Sequence, residues 1–191
     1  MRIIAGTAKG RRLKSPTGSN TRPTLERVRE ALFNMLGTRC MDATVLDLFA
    51  GTGALGIEAL SRGAAHCTFV EKSTSVAKLM QWNIESCGFG SRSSVMRLDS
   101  LKALERLAAK HENFDLVFMD PPYGEGLEMK AALKALDLDL LAGNFTLVVE
   151  SFAGDGFFEK QLDGLFVVER HRIYGDTALW LFAGRHVERS E

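Results

Sequence analysis

Short runs of almost uninterrupted apolar residues alternate with stretches of helical periodicity along most of this chain. Thr44–Phe49, His66–Glu71, Ser93–Leu98, Phe114–Met119 and Phe145–Glu150 read as strands. Between them, Ala54–Arg62, Ser73–Cys87, Ser100–Lys110 and Leu127–Leu141 read as helices, with Val76, Met80 and Ile84 on one stripe of the second. A strand that is apolar on both faces has to be covered on both faces, and helical crossovers between parallel strands provide that cover. Two further strands, near Leu165–His171 and Thr177–Phe182, are close enough in sequence to pair antiparallel. The pattern predicts an α/β fold with a central, mostly parallel sheet of seven strands and helices on both faces.

Ahead of this core, a helix is expected from Thr24, which can act as its N-cap, with Leu25, Val28, Leu32 and Met35/Leu36 along one face. Arg2–Ala5 and Arg11–Lys14, around a turn near Lys9-Gly10, suggest a small hairpin, and Ser15–Arg22 reads as a loop. Charge is spread unevenly. Residues 1–39 hold nine Lys or Arg against two acids, and the rest of the chain holds fifteen against twenty-two, so a neutral total hides a basic start on an acidic body. A basic extension over residues 1–22, followed by one domain over residues 23–191, is the expected organisation. The extension suits a polyanion, with a solvated tail as the plainer alternative. No run of 18 apolar residues occurs, and the first residues are basic rather than apolar, so neither a membrane span nor a signal peptide is expected. Three scattered cysteines, Cys40, Cys67 and Cys87, and four histidines without ligand spacing suggest neither disulfides nor a metal site. A cytoplasmic monomer is the expectation.

In a parallel sheet of this kind, ligands bind beyond the carboxyl ends of the strands. After the first strand runs Asp47-Leu48-Phe49-Ala50-Gly51-Thr52-Gly53-Ala54-Leu55-Gly56. Glycines at a strand-to-helix turn let the backbone approach a ligand, and the helix behind them offers free N–H groups. Glu71 ends the second strand, where a carboxylate can accept from ribose hydroxyls, and Asp99 ends the third, where it can accept from an adenine amino group. The candidate cofactor residues are Asp47, Phe49, Gly51, Gly53, Glu71, Lys72, Asp99 and Ser100. Gly51, Gly53 and Gly56 also fit the dinucleotide fingerprint, with Glu71 about 20 residues on. The glycines alone therefore do not choose the cofactor.

The fourth strand runs into Asp120-Pro121-Pro122-Tyr123. Two prolines remove two donors and stiffen the backbone, so a carboxylate and a free carbonyl can converge on one point. An exocyclic amine offers two N–H donors. Bonds from these to Asp120 and to a carbonyl near Pro121 would hold it before a sulfonium methyl, while Tyr123 stacks on the base. This sets Asp120, Pro121 and Tyr123 as the candidate catalytic residues. No metal is needed, because a sulfonium methyl is already activated.

The run Asp47–Gly53, with Glu71, Asp99 and Asp120–Tyr123, resembles the motifs of class I methyltransferases. Nearly the whole chain is similar to the bacterial 16S ribosomal RNA guanine-N2 methyltransferase family (RsmD-like). The matching residues are Ile3–Gly6, Lys9–Leu13, Arg22-Pro23-Thr24, Arg29–Asn34, Leu46–Gly63 and Tyr174–Thr177. The resemblance implies a Rossmann-like class I methyltransferase sheet and S-adenosylmethionine as methyl donor. As acceptor it implies the N2 amine of a guanine in small-subunit rRNA, within an assembled or assembling particle. It also implies that Gly51 and Gly53 border the methionine moiety, that Glu71 holds the ribose and that Asp99 lies near the adenine. Arg11, Arg12, Arg22 and Arg29 are the candidate RNA contacts. Three other readings stay open. A DNA adenine-N6 methyltransferase would need a target-recognition region for which there is no room around Asp120. A nicotinamide dehydrogenase would leave Asp120–Tyr123 without a role. A non-catalytic RNA-binding assembly factor would have no use for intact acids at three strand ends.

Overall fold

The computed structural model describes residues 1–16, 23–122, 126–154 and 166–184. The alternation resolves into β1 (Thr44–Asp47), α2 (Ala54–Ser61), β2 (His66–Val70), α3 (Thr74–Ser86), β3 (Ser93–Met96), α4 (Ser100–Ala108), β4 (Phe114–Met119), α5 (Leu127–Asp137) and β5 (Leu141–Phe152). Helix α1 (Pro23–Leu36) precedes them, and the antiparallel pair β6 (Phe166–Tyr174) and β7 (Thr177–Gly184) follows. All seven strands form one sheet in the order β3-β2-β1-β4-β5-β7-β6. Strands β1 to β5 run parallel, and β7 enters antiparallel between β5 and β6. The order changes direction between β1 and β4. Crossovers therefore leave to opposite faces there, and a crevice opens at the carboxyl ends.

The sheet separates two apolar layers. Leu116 and Phe118 of β4 face Leu32, Phe33 and Leu36 of α1, together with α2 and α3. Val117 and Met119 face Leu104 and Leu107 of α4 and Ala131, Ala132 and Ala135 of α5. These four β4 residues are all buried, which is the physical content of an apolar run without alternation. Ser73 caps α3 by accepting from Val76 N, and Asp99 caps α4 by accepting from Leu101 N and Lys102 N.

Three expectations shift. Helix α1 begins at Pro23, whose missing N–H costs nothing at a first helical position, rather than behind a Thr24 cap. Helix α5 ends at Asp137 rather than Leu141, because Asp139 adopts a left-handed conformation (φ 56°) that ends the turn. Strand β5 therefore starts at Leu141, opposite Phe114. An irregularity then absorbs the extra residues before Leu116 meets Thr146.

The basic start of the chain is hairpin-like, but its only ladder contact among the described residues is the isolated bridge Arg2–Arg12. It is not a free arm. Ile3, Ala8 and Leu13 are buried in the same apolar layer as α1. Its backbone is bound by side chains of α2 and α3. Glu58 accepts from Ile4 N at 2.7 Å and Ala5 N at 3.0 Å, and Ser61 Oγ accepts from Ala8 N at 2.9 Å. Asn83 accepts from Lys14 N at 2.8 Å and donates to the carbonyls of Lys14 and Thr52. Lys14 Nζ lies 3.6 Å from the ring centre of the half-exposed Trp82. The three cysteines are free and buried.

Candidate active site

The carboxyl ends of β1, β2 and β4, with the segment after β3, frame a cleft of about 370 Å³. Its wall includes Phe49, Gly51, Glu71, Lys72, Asp99, Ser100, Asp120 and Pro121, so most of the residues singled out at strand ends meet in one place. Its volume falls in the usual range for a small-molecule site. The loop between β1 and α2 is held by backbone bonds, with Ala50 N donating to Val70 O and Leu48 N to Phe118 O. Gly51 has φ 51°, and a side chain there would project into space where nothing but Phe49 O comes within 4 Å. That open space along the loop is what a bound methionine moiety needs. Gly53 is buried, starts α2 and lies on neither cavity wall. Gly56 lets α2 press on β2, since a Cβ would come within 2.3 Å of Phe69 Cε1 and 2.6 Å of Cys67 Sγ.

The acids play different parts. Asp47 is 2% exposed and is absent from the wall of the larger cleft. Its Oδ2 accepts from Gly56 N at 2.9 Å, so it braces the glycine turn. Burial pushes its carboxyl up to about 7; the Gly56 N–H opposes the shift and the Glu71 charge adds to it. Glu71 Oε1 accepts from Ser73 N at 2.6 Å, leaving the other oxygen able to take a ribose hydroxyl. Asp99 Oδ1 is used in capping α4, and the residue is exposed to the cleft.

Asp120 follows β4 directly, with Pro121 buried behind it. Protein packed around its carboxyl raises its pKa well above the carboxylate range, and the charges of Glu150 and Asp47 raise it further. The residue is open on its cleft side, and water entering there softens the effect until a ligand excludes it. A second cavity of about 210 Å³ lies on the α1 side of Asp120 and shares Phe49, Gly51 and Asp120 with the first. Among the described residues no cluster of His, Cys, Asp and Glu is arranged to hold a metal ion. Nor is any helix there long and apolar enough to cross a membrane.

Tyr123 and Arg22 lie outside the described residues. Arg11 and Arg12 are exposed on the docked N-terminal segment, Arg11 donating to Ser86 O. Arg29 departs from the expected exposed phosphate contact. It is 5% exposed and donates to the Arg2 carbonyl. Its helical position explains this: with Val28, Leu32 and Phe33 it lies on the face of α1 turned toward the core. Burial lowers its pKa, against the opposing charges of Glu58 and Glu26. Glu58, Asn83 and Glu150 were not among the candidates. Glu150 could have been found by carrying the strand-end rule on to the fifth strand. Glu58 and Asn83 carry no signal in their own neighbourhoods.

A doubly wound sheet with this strand order, a glycine turn after β1, acids at the ends of β2 and β3 and Asp-Pro-Pro after β4 places the chain in the methyltransferase class to which its relatives belong. The chain belongs to the family described as "Conserved hypothetical protein 95", whose profile matches residues 1–183. It is 36% identical to YlbH of Bacillus subtilis (strain 168), a candidate rRNA methyltransferase, over 97% of this chain and 100% of that protein. It is also 36% identical to ribosomal RNA small subunit methyltransferase D of Escherichia coli (strain K12), over 95% of this chain and 89% of that one. The solved structure of yhhF from Escherichia coli, a candidate methyltransferase, superposes with a TM-score of 0.84 at 34% identity, covering 97% and 98% of the two chains.

Proposed function

We propose that this protein transfers a methyl group from S-adenosylmethionine to the N2 amine of a guanine in small-subunit rRNA, within an assembled or assembling ribosomal particle. The observation that carries the reading is the position of Asp120. It stands on the wall shared by a nucleoside-sized cleft and a second cavity, with the buried Pro121 next to it. When bound, S-adenosylmethionine supplies an electrophilic methyl on sulfur, so the protein's task is approach geometry and electrostatics. Glu71 and Asp99 accept from the nucleoside part of the donor, and Gly51 leaves room for its tail. Lys72 and Ser100 complete the wall. Asp120 accepts one N–H of the target amine and a backbone carbonyl near Pro121 accepts the other. The amine is held with its lone pair toward the donor, and its proton leaves after attack. Tyr123 covers the base. Exposed Arg11 and Arg12, with Arg22, contact RNA phosphates from the N-terminal extension. Residues 1–22 serve the RNA and residues 23–191 the chemistry, in a cytoplasmic monomer that uses no metal.

The test is tritiated-methyl transfer to small ribosomal subunits taken from cells lacking this protein, with naked rRNA and duplex DNA alongside. N2-methylguanine in subunit rRNA, lost with Asp120→Ala, is the expected result. Label in DNA adenine, or label that survives Asp120→Ala, overturns the reading.

A further inference from the structure

The second cavity contains a residue for which the chemistry above has no use. Strands β4 and β5 pair in parallel with Met119 opposite Val149, so Asp120 leaves the end of β4 beside Glu150, which is still within β5 and opposite Leu179 of β7. Alternation along the strands fixes their direction. Phe118 and Val148 pack in the α1 layer, and Met119 and Val149 in the opposite one, so Asp120 and Glu150 return to the α1 side. Both line the cavity of about 210 Å³ beside Val28 and Leu32 of α1. The proximity is also felt electrostatically, since the Glu150 charge helps to raise Asp120. Arg29 lines the same cavity, and its buried Nε has no acceptor among the described residues. A buried donor without an acceptor is costly, and it marks the wall as built for an occupant that brings acceptors.

We infer that Glu150 selects guanine over other bases by accepting a hydrogen bond from the ring N1–H while Asp120 holds the neighbouring N2 amine. The inference rests on the guanine-N2 reading proposed above. The edge of guanine that carries N2 presents donors at N1 and N2 next to each other and an acceptor at O6. Two carboxylates side by side match the two donors. An ionised carboxylate only accepts, and a carboxyl that keeps its proton, as the raised pKa of Asp120 favours, still accepts through its carbonyl oxygen. Adenine presents a bare nitrogen at N1, whose lone pair would face the Glu150 oxygens. A site built for one hydrogen-bond pattern rejects a ligand with the opposite pattern far more strongly than shape alone allows, because the mismatched polar groups stay buried and unpaired.

The experiment uses small ribosomal subunits reconstituted with rRNA that carries either guanine or 2-aminopurine at the methylated position. 2-Aminopurine keeps the 2-amino group but has a bare N1. Wild-type protein is expected to prefer guanine by about a hundredfold or more in kcat/KM. Glu150→Gln presents either a carbonyl or an NH2 to N1, so the preference falls at least about tenfold, with calorimetric binding of S-adenosylmethionine unchanged. Equal methylation of the two bases by wild-type protein overturns the inference without any variant. It is also overturned if the preference survives Glu150→Gln, or if that variant weakens S-adenosylmethionine binding and leaves the preference intact. In those cases guanine is still methylated and the proposed function stands. Label on a base other than guanine in unsubstituted subunits removes the proposed function and this inference together.

Discussion

Glu58→Ala should release the N-terminal segment and cost several kcal/mol. Glu58 is completely buried on α2, and its carboxylate accepts from Ile4 N, Ala5 N and Arg62 Nε, the last at 2.9 Å. Each bond to a charged acceptor is worth about 1.5–3 kcal/mol, which bounds the gross loss at roughly 5–9 kcal/mol. Ile4, Ala5 and Arg62 are only partly buried, so water can reach their freed donors and recover about half of that. The expected net cost is about 3 kcal/mol, near the low end for breaking a buried pair by removing one partner. For a domain of this size, that corresponds to a fall in Tm of about 6–12 °C. Calorimetry gives the global value. Amide hydrogen exchange locates it, with protection lost first at Ile4, Ala5, Thr7 and Ala8. A Tm within about 2 °C of wild type, with those amides still protected, would refute the argument that this one carboxylate anchors the segment.

Two further outcomes follow from the glycine turn and its brace. The folded-state pKa of Asp47, about 7, lies above its ordinary 3.8, so the fold favours the neutral carboxyl. Its contribution to stability is complete below 3.8 and is lost as pH rises toward about 7. Asp47→Asn keeps an acceptor for Gly56 N and removes the titration, so denaturant midpoints measured from pH 4 to pH 8 should fall more steeply for wild type than for the variant; parallel profiles would contradict the assignment. Gly56→Ala drives a methyl into Phe69 and Cys67 and should cost about 1–3 kcal/mol through overpacking. Because α2 carries the Gly51 turn, S-adenosylmethionine should bind at least about tenfold more weakly, and unchanged affinity by titration calorimetry would separate this contact from the donor cleft.

The strand ends were legible for a specific reason. Apolar strands buried on both faces make each polar residue at a carboxyl end conspicuous, and Glu71, Asp99 and Asp120 all lie on one cleft. The same rule singles out Asp47, which braces the glycine turn and lines the second cavity rather than the larger cleft, because the rule locates a residue along the strand without saying which way it points. Pleating turns Asp47 toward α2, where the Gly56 N–H meets it. Arg29 shows the complementary failure. Counted as charge it belongs with Arg11 and Arg12, but helical periodicity sets it beside Leu32 and Phe33, and periodicity determines burial. Glu58 and Asn83 were out of reach for another reason. Their partners lie 54 and 69 residues away, and nothing in the local sequence separates a buried carboxylate that binds backbone from an exposed one on a helix.

These contacts bear on the proposed division of labour between the basic segment and the rest of the chain. Asn83 donates to Lys14 O on one side and to Thr52 O on the other, so one buried amide joins the N-terminal segment to the turn that carries Gly51. Glu58 and Ser61 make the same kind of junction from the helix that this turn begins. The described basic residues of the segment are thus fixed to the frame that carries the cleft, and under the proposed function an RNA bound by Arg11 and Arg12 would meet the cleft in a set register without any ordering of residues 1–16 on binding. A flexible basic tail would leave that ordering entropy to be offset when RNA arrives. A docked one has met that cost already in folding, through the burial of Ile3, Ala8 and Leu13.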